Sequence, residues 1–242
     1  MPWEQFAQLL IESEEGSQFQ EASATIEVDT LSVPPGQVSS AQILLVDEGI
    51  SGRLSIDPNH NGDSQTRFMT YWTVRFFHMT YLQLADDHKT TGCRNMDCPG
   101  FVLLSQTKTP GMVLPTGTAS VSISKDTQTG NWFVFLDQEI VGYFPKEIIN
   151  NMSGATNIQM GGITYAPPGQ RSPPRGTGAA PVLGKMKLAS QFIQIVVKGA
   201  KIGNYWADKD VSDPAIYNIV MTSASSTGPQ GVSFQYGGPG GA

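Results

Sequence analysis

A chain of 242 residues with a net charge of −6, 15% charged side chains, 26 glycines and 16 prolines has room for one sizeable core and little material for long surface helices. No basic stripe is present to neutralise phosphates, which argues against sequence-general nucleic-acid binding, and no apolar run reaches the length of about 18 residues that a membrane span needs. The turn-rich composition favours short strands joined by tight loops.

The opening segment, MPWEQFAQLLIESEEG, lacks a basic start and carries Glu4, Glu12, Glu14 and Glu15 in or beside its apolar part, so it is not read as a signal peptide. Trp3, Phe6, Leu9 and Leu10 recur at helical spacing and Gly16 offers a stop. This predicts an amphipathic helix and linker over residues 1–22, docked by one face on a domain spanning 23–242. From Ser23 the pattern becomes alternation: Ala24, Ile26 and Val28 against Thr25, Glu27 and Asp29, the period of a half-buried strand. Pro34-Pro35-Gly36 breaks it, and a second strand runs from Ala41 to Val46 into an Asp47-Glu48-Gly49 turn.

The densest aromatic run and both cysteines fall between Asp63 and Phe101, and the remaining strands are expected to pack around that stretch. Further strands are predicted over Arg67–Val74, Phe101–Ser105, Ser120–Lys125, Asn131–Leu136 and Glu139–Tyr143, with hairpin chemistry in Asp126-Thr127-Gln128-Thr129-Gly130. One brief helix should start at Pro145, with Glu147 near its positive end and Gly154 closing it. Ile158–Tyr165 is then a strand, Ala166–Pro181 a long loop, and Gln191–Lys198, Ile216–Thr222 and Val232–Tyr236 are later strands. Together these predict an all-β fold, an antiparallel β-sandwich of two packed sheets with one or two short helices.

Candidate chemistry is sparse. Asp57, Asn59 and Asn61 with Gly62 resemble the opening of a calcium loop, but position 12 is Phe68 and helices are not expected on either side, so a polar turn is the simpler reading. His60, His78 and His88 are scattered. No metal site and no cofactor are expected. There is no G-x-S-x-G elbow, and Cys93 and Cys98 are close enough to form a structural disulfide in an oxidising compartment, where Asn151-Met152-Ser153 is a glycosylation sequon at Asn151.

The order of several motifs is similar to that of neprosin domains, the carboxy-terminal catalytic domains of plant prolyl endopeptidases. Arg67-Phe68 with Tyr71-Trp72-Thr73 comes first, then Thr91-Gly92-Cys93, Asn95, Cys98 and Gly100-Phe101. Lys125-Asp126 with Gly130-Asn131-Trp132, Gly142-Tyr143-Phe144-Pro145, Gly161-Gly162 and Tyr236-Gly237-Gly238-Pro239-Gly240 follow. The resemblance covers roughly Ser23 to the end and implies a secreted β-sandwich glutamic peptidase that cleaves after proline at acidic pH. Two facing carboxyls cannot both ionise easily, so one serves as acid while its partner activates water.

The sequence departs from that pattern at the acids. In active members the first glutamate lies in an I-E-A-G-W-like strand ahead of a P…G-D turn. Here Ser55-Ile56 runs straight into Asp57-Pro58, and the glutamate-bearing segment is expected to be missing. The second acid follows W-G-G, whereas this chain reads Met160-Gly161-Gly162-Ile163, with Ile163 in the family glutamate's position. Asp57 and Glu48 cannot be placed opposite Ile163 from the sequence and are read as turn residues. Val74–Leu84 is expected to be an insertion, and Ile216 stands where the family has a cysteine.

The favoured expectation is therefore a catalytically silent neprosin-like domain, with no catalytic residue assigned, that retains binding of a proline-containing peptide or cell-wall polymer. An active post-proline endopeptidase with rearranged carboxylates and a truncated or misassembled gene product are the alternatives. The resemblance, the cysteine pair and the sequon imply an extracellular or secretory location for a monomer that engages neither nucleic acid nor membrane.

Overall fold

The computed structural model describes residues 4–47, 49–74, 92–185, 188–223 and 231–241. Trp3, Glu48, His78, His88 and the expected insertion beyond Val74 lie outside the described residues. In chain order the first strands are β1 (Glu4–Ser13), β2 (Glu21–Val28), β3 (Val38–Val46), β4 (Ile50–Ile56), β5 (Arg67–Thr73), β6 (Gly92–Arg94), β7 (Val102–Leu103) and β8 (Gly117–Lys125). They are followed by β9 (Trp132–Leu136), β10 (Glu139–Phe144), β11 (Asn157–Tyr165), β12 (Ser190–Lys198), β13 (Ile202–Val211), β14 (Asn218–Ser223) and β15 (Ser233–Gly237).

The strands form two antiparallel sheets packed face to face. One has the order β13-β1-β11-β3-β4-β5-β6, the other β14-β15-β12-β2-β8-β9-β10-β7. Period-2 alternation puts Ala22, Ala24, Ile26 and Val28 of β2 inward against Ile43, Leu45, Leu54 and Phe68 of the first sheet. Large rings fill the remaining space, including Trp132, Phe144 and a Phe192–Phe234 stack with centroids 4.9 Å apart. The β8–β9 hairpin closes through Asp126–Gly130 as its turn chemistry predicts, with Gly130 N–H donating to the Asp126 carbonyl at 2.8 Å.

Four expectations need correction. Residues 4–13 are not a helix: they form β1, hydrogen-bonded on one side to β11 and on the other to β13. Ala7, Leu9 and Ile11 point into the core while Phe6 and Leu10, which completed the apparent helical stripe, lie on the opposite face. Two ladders, with the Phe6 N–H donating to Ser212 Oγ and the Arg175 side chain donating to the Gln5 carbonyl, satisfy most of the segment's backbone, and that outweighs a short helix's marginal propensity. The residues before Asp57, given no strand from the sequence, form β4 (Ile50–Ile56), paired with both β3 and β5. The helix after Pro145 is a single 3-10 turn, Lys146–Ile149, ended by Asn150 in a left-handed conformation (φ 50°) rather than by Gly154. The strand expected over Phe101–Ser105 shrinks to Val102–Leu103, and Ile202–Val211 adds an edge strand that had been left unassigned.

The loop over residues 166–181 returns one side chain deep into the sandwich. Arg175 is fully buried; its Nη2 donates to the Gln5 carbonyl of β1 and, at 3.0 Å, to Thr164 Oγ1 of β11. Its guanidinium lies 4.0 Å from the centre of the Tyr217 ring. Gly162 makes room for it, since a Cβ there would come within 2.1 Å of Arg175 Cδ and 2.8 Å of the Tyr236 ring.

Two stability measurements follow. Leu9→Ala should cost about 2–5 kcal/mol in urea unfolding, whereas Leu10→Ala should cost clearly less; equal effects would restore the one-faced helix. Gly162→Ala should destabilise by about 1–3 kcal/mol through overpacking, and an unchanged urea midpoint would mean that Arg175 does not press on β11.

Candidate functional site

Ile163 lies on the outer face of the seven-stranded sheet. Its neighbours Ile158 and Met160 sit in the core and Gly162 faces Arg175, so the pleat turns Ile163, Gly161 and Tyr165 the other way. Ile163 pairs with Phe6 of β1 and with Ser40 of β3, and Ser40 pairs in turn with Ser55 of β4. The two hydroxyls meet, Ser40 Oγ to Ser55 Oγ at 2.8 Å. The same alternation on β4 brings Ser51 and Arg53 to this face, because Ile50 and Leu54 belong to the core.

Arg53 is the dominant charge among these residues. It is only 7% exposed, its Nε donates to Ser51 Oγ at 3.1 Å, and its guanidinium lies 4.8 Å from the centre of the Tyr71 ring. Ser51 and Ser55 are fully buried, as are nearly all of Ser40 and Gln42.

A carboxyl that the sequence reading did not single out also reaches this face. Glu4 pairs with Tyr165, one cross-strand row from the Phe6–Ile163 pair. Burial pushes the Glu4 carboxyl up to about 8, and the positive charge of Arg53 offsets only part of that. Its Oε1 is buried with no hydrogen-bond partner among the described residues. Burial, reinforced by the negative charge of Glu4, raises Tyr165 as well. Glu4 was hidden because its segment was taken for a helix; the alternation of Gln5, Ala7, Leu9 and Ile11 is the signal that reveals it.

At one end of the face is a recess of about 250 Å³ between Tyr165, Val38, Asp57, His60 and Arg94. Asp57 accepts the His60 backbone N–H at 3.1 Å as the cap of the short helix Pro58–Asn61, and its other oxygen is held by Arg94 Nη1 at 3.2 Å. Asp63 forms a two-bond ion pair with Arg67, the shorter contact being 2.5 Å. Of the oxygens that resembled a calcium loop, Asp57 caps the helix and pairs with Arg94, and Asn59 accepts the Gly36 backbone N–H at 2.9 Å. Cys93 and Cys98 form the expected disulfide, fixing the loop between β6 and Phe101. Asn151 is exposed, immediately after the 3-10 turn.

Chemically, this face offers a buried carboxyl held mostly protonated below its raised pKa, an arginine and several neutral hydroxyls, with Asp57 held by Arg94 at one end and Asp210 by Gln8. Glu4 also sets a pH dependence. Below its ordinary value of 4.5, folded and unfolded chains both carry the proton; between there and about 8 the unfolded chain releases it first, so stability falls as pH rises. Asp29 and Glu27, both raised chiefly by burial, slope the same way. Glu4→Gln should therefore flatten part of the decline in melting temperature across that window. A wild-type profile that rises there, or one that Glu4→Gln leaves unaltered, contradicts the assignment.

Comparison with known proteins places these features in a family. The family model described as Neprosin matches residues 35–239, a span that begins after the strand bearing Glu4. Among solved structures, Scytalido-glutamic peptidase with a peptide-based transition state analog is 14% identical, covering 96% of this chain and 97% of that one at a TM-score of 0.47. SCP-B, a member of the eqolisin family of peptidases in complex with the tripeptide Ala-Ile-His, is 12% identical over 96% and 97% at a TM-score of 0.46. The CBM40 of a Ruminococcus gnavus IT-sialidase is 9% identical over 61% and 76% at a TM-score of 0.30. On the strength of the match across residues 35–239, which takes in most of the two sheets and the cysteine loop, this chain belongs to the neprosin family.

Proposed function

We propose that this chain is a catalytically silent peptidase-family domain that binds a proline-containing peptide without cutting it. The observation that carries the reading is the chemistry at Ser51 and Ile163. When the I-E-A-G-W motif is set on β4 with its isoleucine at Ile50, its glutamate falls on Ser51 and its tryptophan on Leu54. The first acid is then substituted rather than deleted. Ile163 follows Gly161-Gly162 where the second acid belongs, and an aliphatic side chain has no proton to give or take.

What remains does not rebuild the pair. A two-carboxyl mechanism needs an acid and a base that share a proton. The charge felt by Glu4 is that of Arg53, which favours ionisation of a neighbouring carboxyl instead of opposing it as a second carboxylate does. Ser51 Oγ accepts a hydrogen bond from the same arginine, so its oxygen faces a cation. The recess beside Tyr165, about 250 Å³, suits one residue of a peptide laid against the aromatic ring. The family and the disulfide are compatible with an extracellular location; in that setting Asn151 is the glycosylation acceptor.

A quenched fluorescent peptide with a central proline, incubated with the purified protein from about pH 3 to pH 7, should show no turnover above a protein-free blank, whereas a working general acid–base pair would raise the rate by about 10²–10⁴. A labelled, non-quenched version should bind, and Tyr165→Ala should weaken that binding. Turnover that Glu4→Gln abolishes would instead identify an active enzyme with rearranged carboxylates.

A further inference from the structure

The outer face of the eight-stranded sheet, on the opposite side of the core from Ile163, carries a trough of about 690 Å³. Its floor is hydroxylic. Ser23 and Thr25 of β2 lie in register with Ser122 and Ser120 of β8, and Thr25 Oγ1 is 2.8 Å from Ser120 Oγ. Phe135 of β9 pairs with Ser122 and supplies an aromatic face beside the hydroxyls.

One wall is shaped by a bulge. The pairing of β12 with β2 shifts between Ile193 and Val196, and Gln194 sits there with φ 55°, a left-handed backbone in the middle of an interior strand. A bulge re-aims the side chain it carries. The exposed Gln194 amide is turned over the trough, with Oε1 3.4 Å from Thr25 Oγ1. Among the described residues Glu21 is the single charged member of the lining, and Lys198 Nζ stands 2.9 Å from its carboxylate.

These features restrict the occupant. The backbone groups of β12, β2, β8 and β9 are already spent on their ladders, so an extended peptide finds no free edge to join on this face. Among the described residues no lysine or arginine belongs to the lining, which disfavours phosphodiesters and other polyanions. Hydroxyls and amides, by contrast, both donate and accept, which matches a ligand covered in hydroxyl groups. The Phe135 ring offers the apolar contact that the faces of a sugar ring provide. We propose that this trough binds a neutral oligosaccharide, through Gln194 and the serine and threonine hydroxyls at its rims and floor and through stacking on Phe135.

The test is calorimetric titration of the full chain with cellohexaose, xylohexaose and mannohexaose, alongside an oligogalacturonate and the proline peptide. At least one neutral hexaose should bind. Phe135→Ala and Gln194→Ala should each weaken it about tenfold, as for removal of a principal contact, and Ser122→Trp should abolish it by filling the trough. Circular dichroism and the melting temperature identify the variants that remain folded, and Glu4→Gln, on the other face, should leave hexaose binding unchanged. The proposal is overturned if none of the neutral hexaoses binds, if the oligogalacturonate binds in their place, or if folded Ser122→Trp binds as well as the wild type. Peptide binding at the other face stands or falls separately.

Discussion

The structure depends on a buried arginine. Arg175 reaches from an irregular, proline-rich loop to a point between the sheets, where it hydrogen-bonds β1 and β11 and lies over Tyr217. Burial lowers its pKa to about 10, still far enough above neutrality for the guanidinium to keep its charge. A buried charge needs hydrogen bonds and a polarisable partner in place of water; here Nη2 and the Tyr217 ring supply them, while Nε and Nη1 have no hydrogen-bond partner among the described residues. That requirement couples the loop, the N-terminal strand and the strand that ends in Ile163-Thr164-Tyr165. The Tyr217 hydroxyl extends the coupling by donating to the Pro173 carbonyl at 2.6 Å. Gly162 is the reciprocal condition: without a Cβ, β11 can pass directly over the arginine.

The same coupling explains why β1 bears on function although it precedes the matched family segment. It is an interior strand of its sheet, and its outward residues share a face with Ile163, Ser51 and Arg53. An arginine and a protonated carboxyl on that face differ in kind from two opposed acids. The acid pair works because like charges resist joint ionisation. A guanidinium removes that resistance, so Arg53 supports the proposal that other chemistry stands in place of such a pair. On the other sheet the trough is built mainly from hydroxyls, amides and one aromatic ring. The sandwich therefore has two chemically distinct outer faces separated by one apolar core.

Legibility varied along the chain for identifiable reasons. β2, the β8–β9 hairpin, β11 and the paired cysteines were readable because their signals are local: period-2 alternation, a turn of Asp and Gly, and two sulfurs close in sequence. β1 was misread because both of its faces carry apolar side chains. With Leu9 and Ile11 on one side and Phe6 and Leu10 on the other, the alternation blurs and the apolar spacing imitates a helix. β4 does alternate, Ile50, Leu54 and Ile56 against Ser51, Arg53 and Ser55, but Gly52 interrupts the pattern and leaves too few apolar residues to mark a strand.

By itself, then, the sequence determined the all-β class, the family pattern, the cysteine pairing and the aliphatic residue after Gly161-Gly162, because each is written in neighbouring letters. Only the tertiary structure decided that the N-terminal segment is an interior strand, that Glu4 shares a face with Ile163 and Arg53, and that Arg175 lies beneath Gly162. The physical reason is that strand pairing joins residues far apart in the chain. The environment that raises the Glu4 carboxyl, or keeps a guanidinium charged between two sheets, arises from those neighbours and has no local spelling.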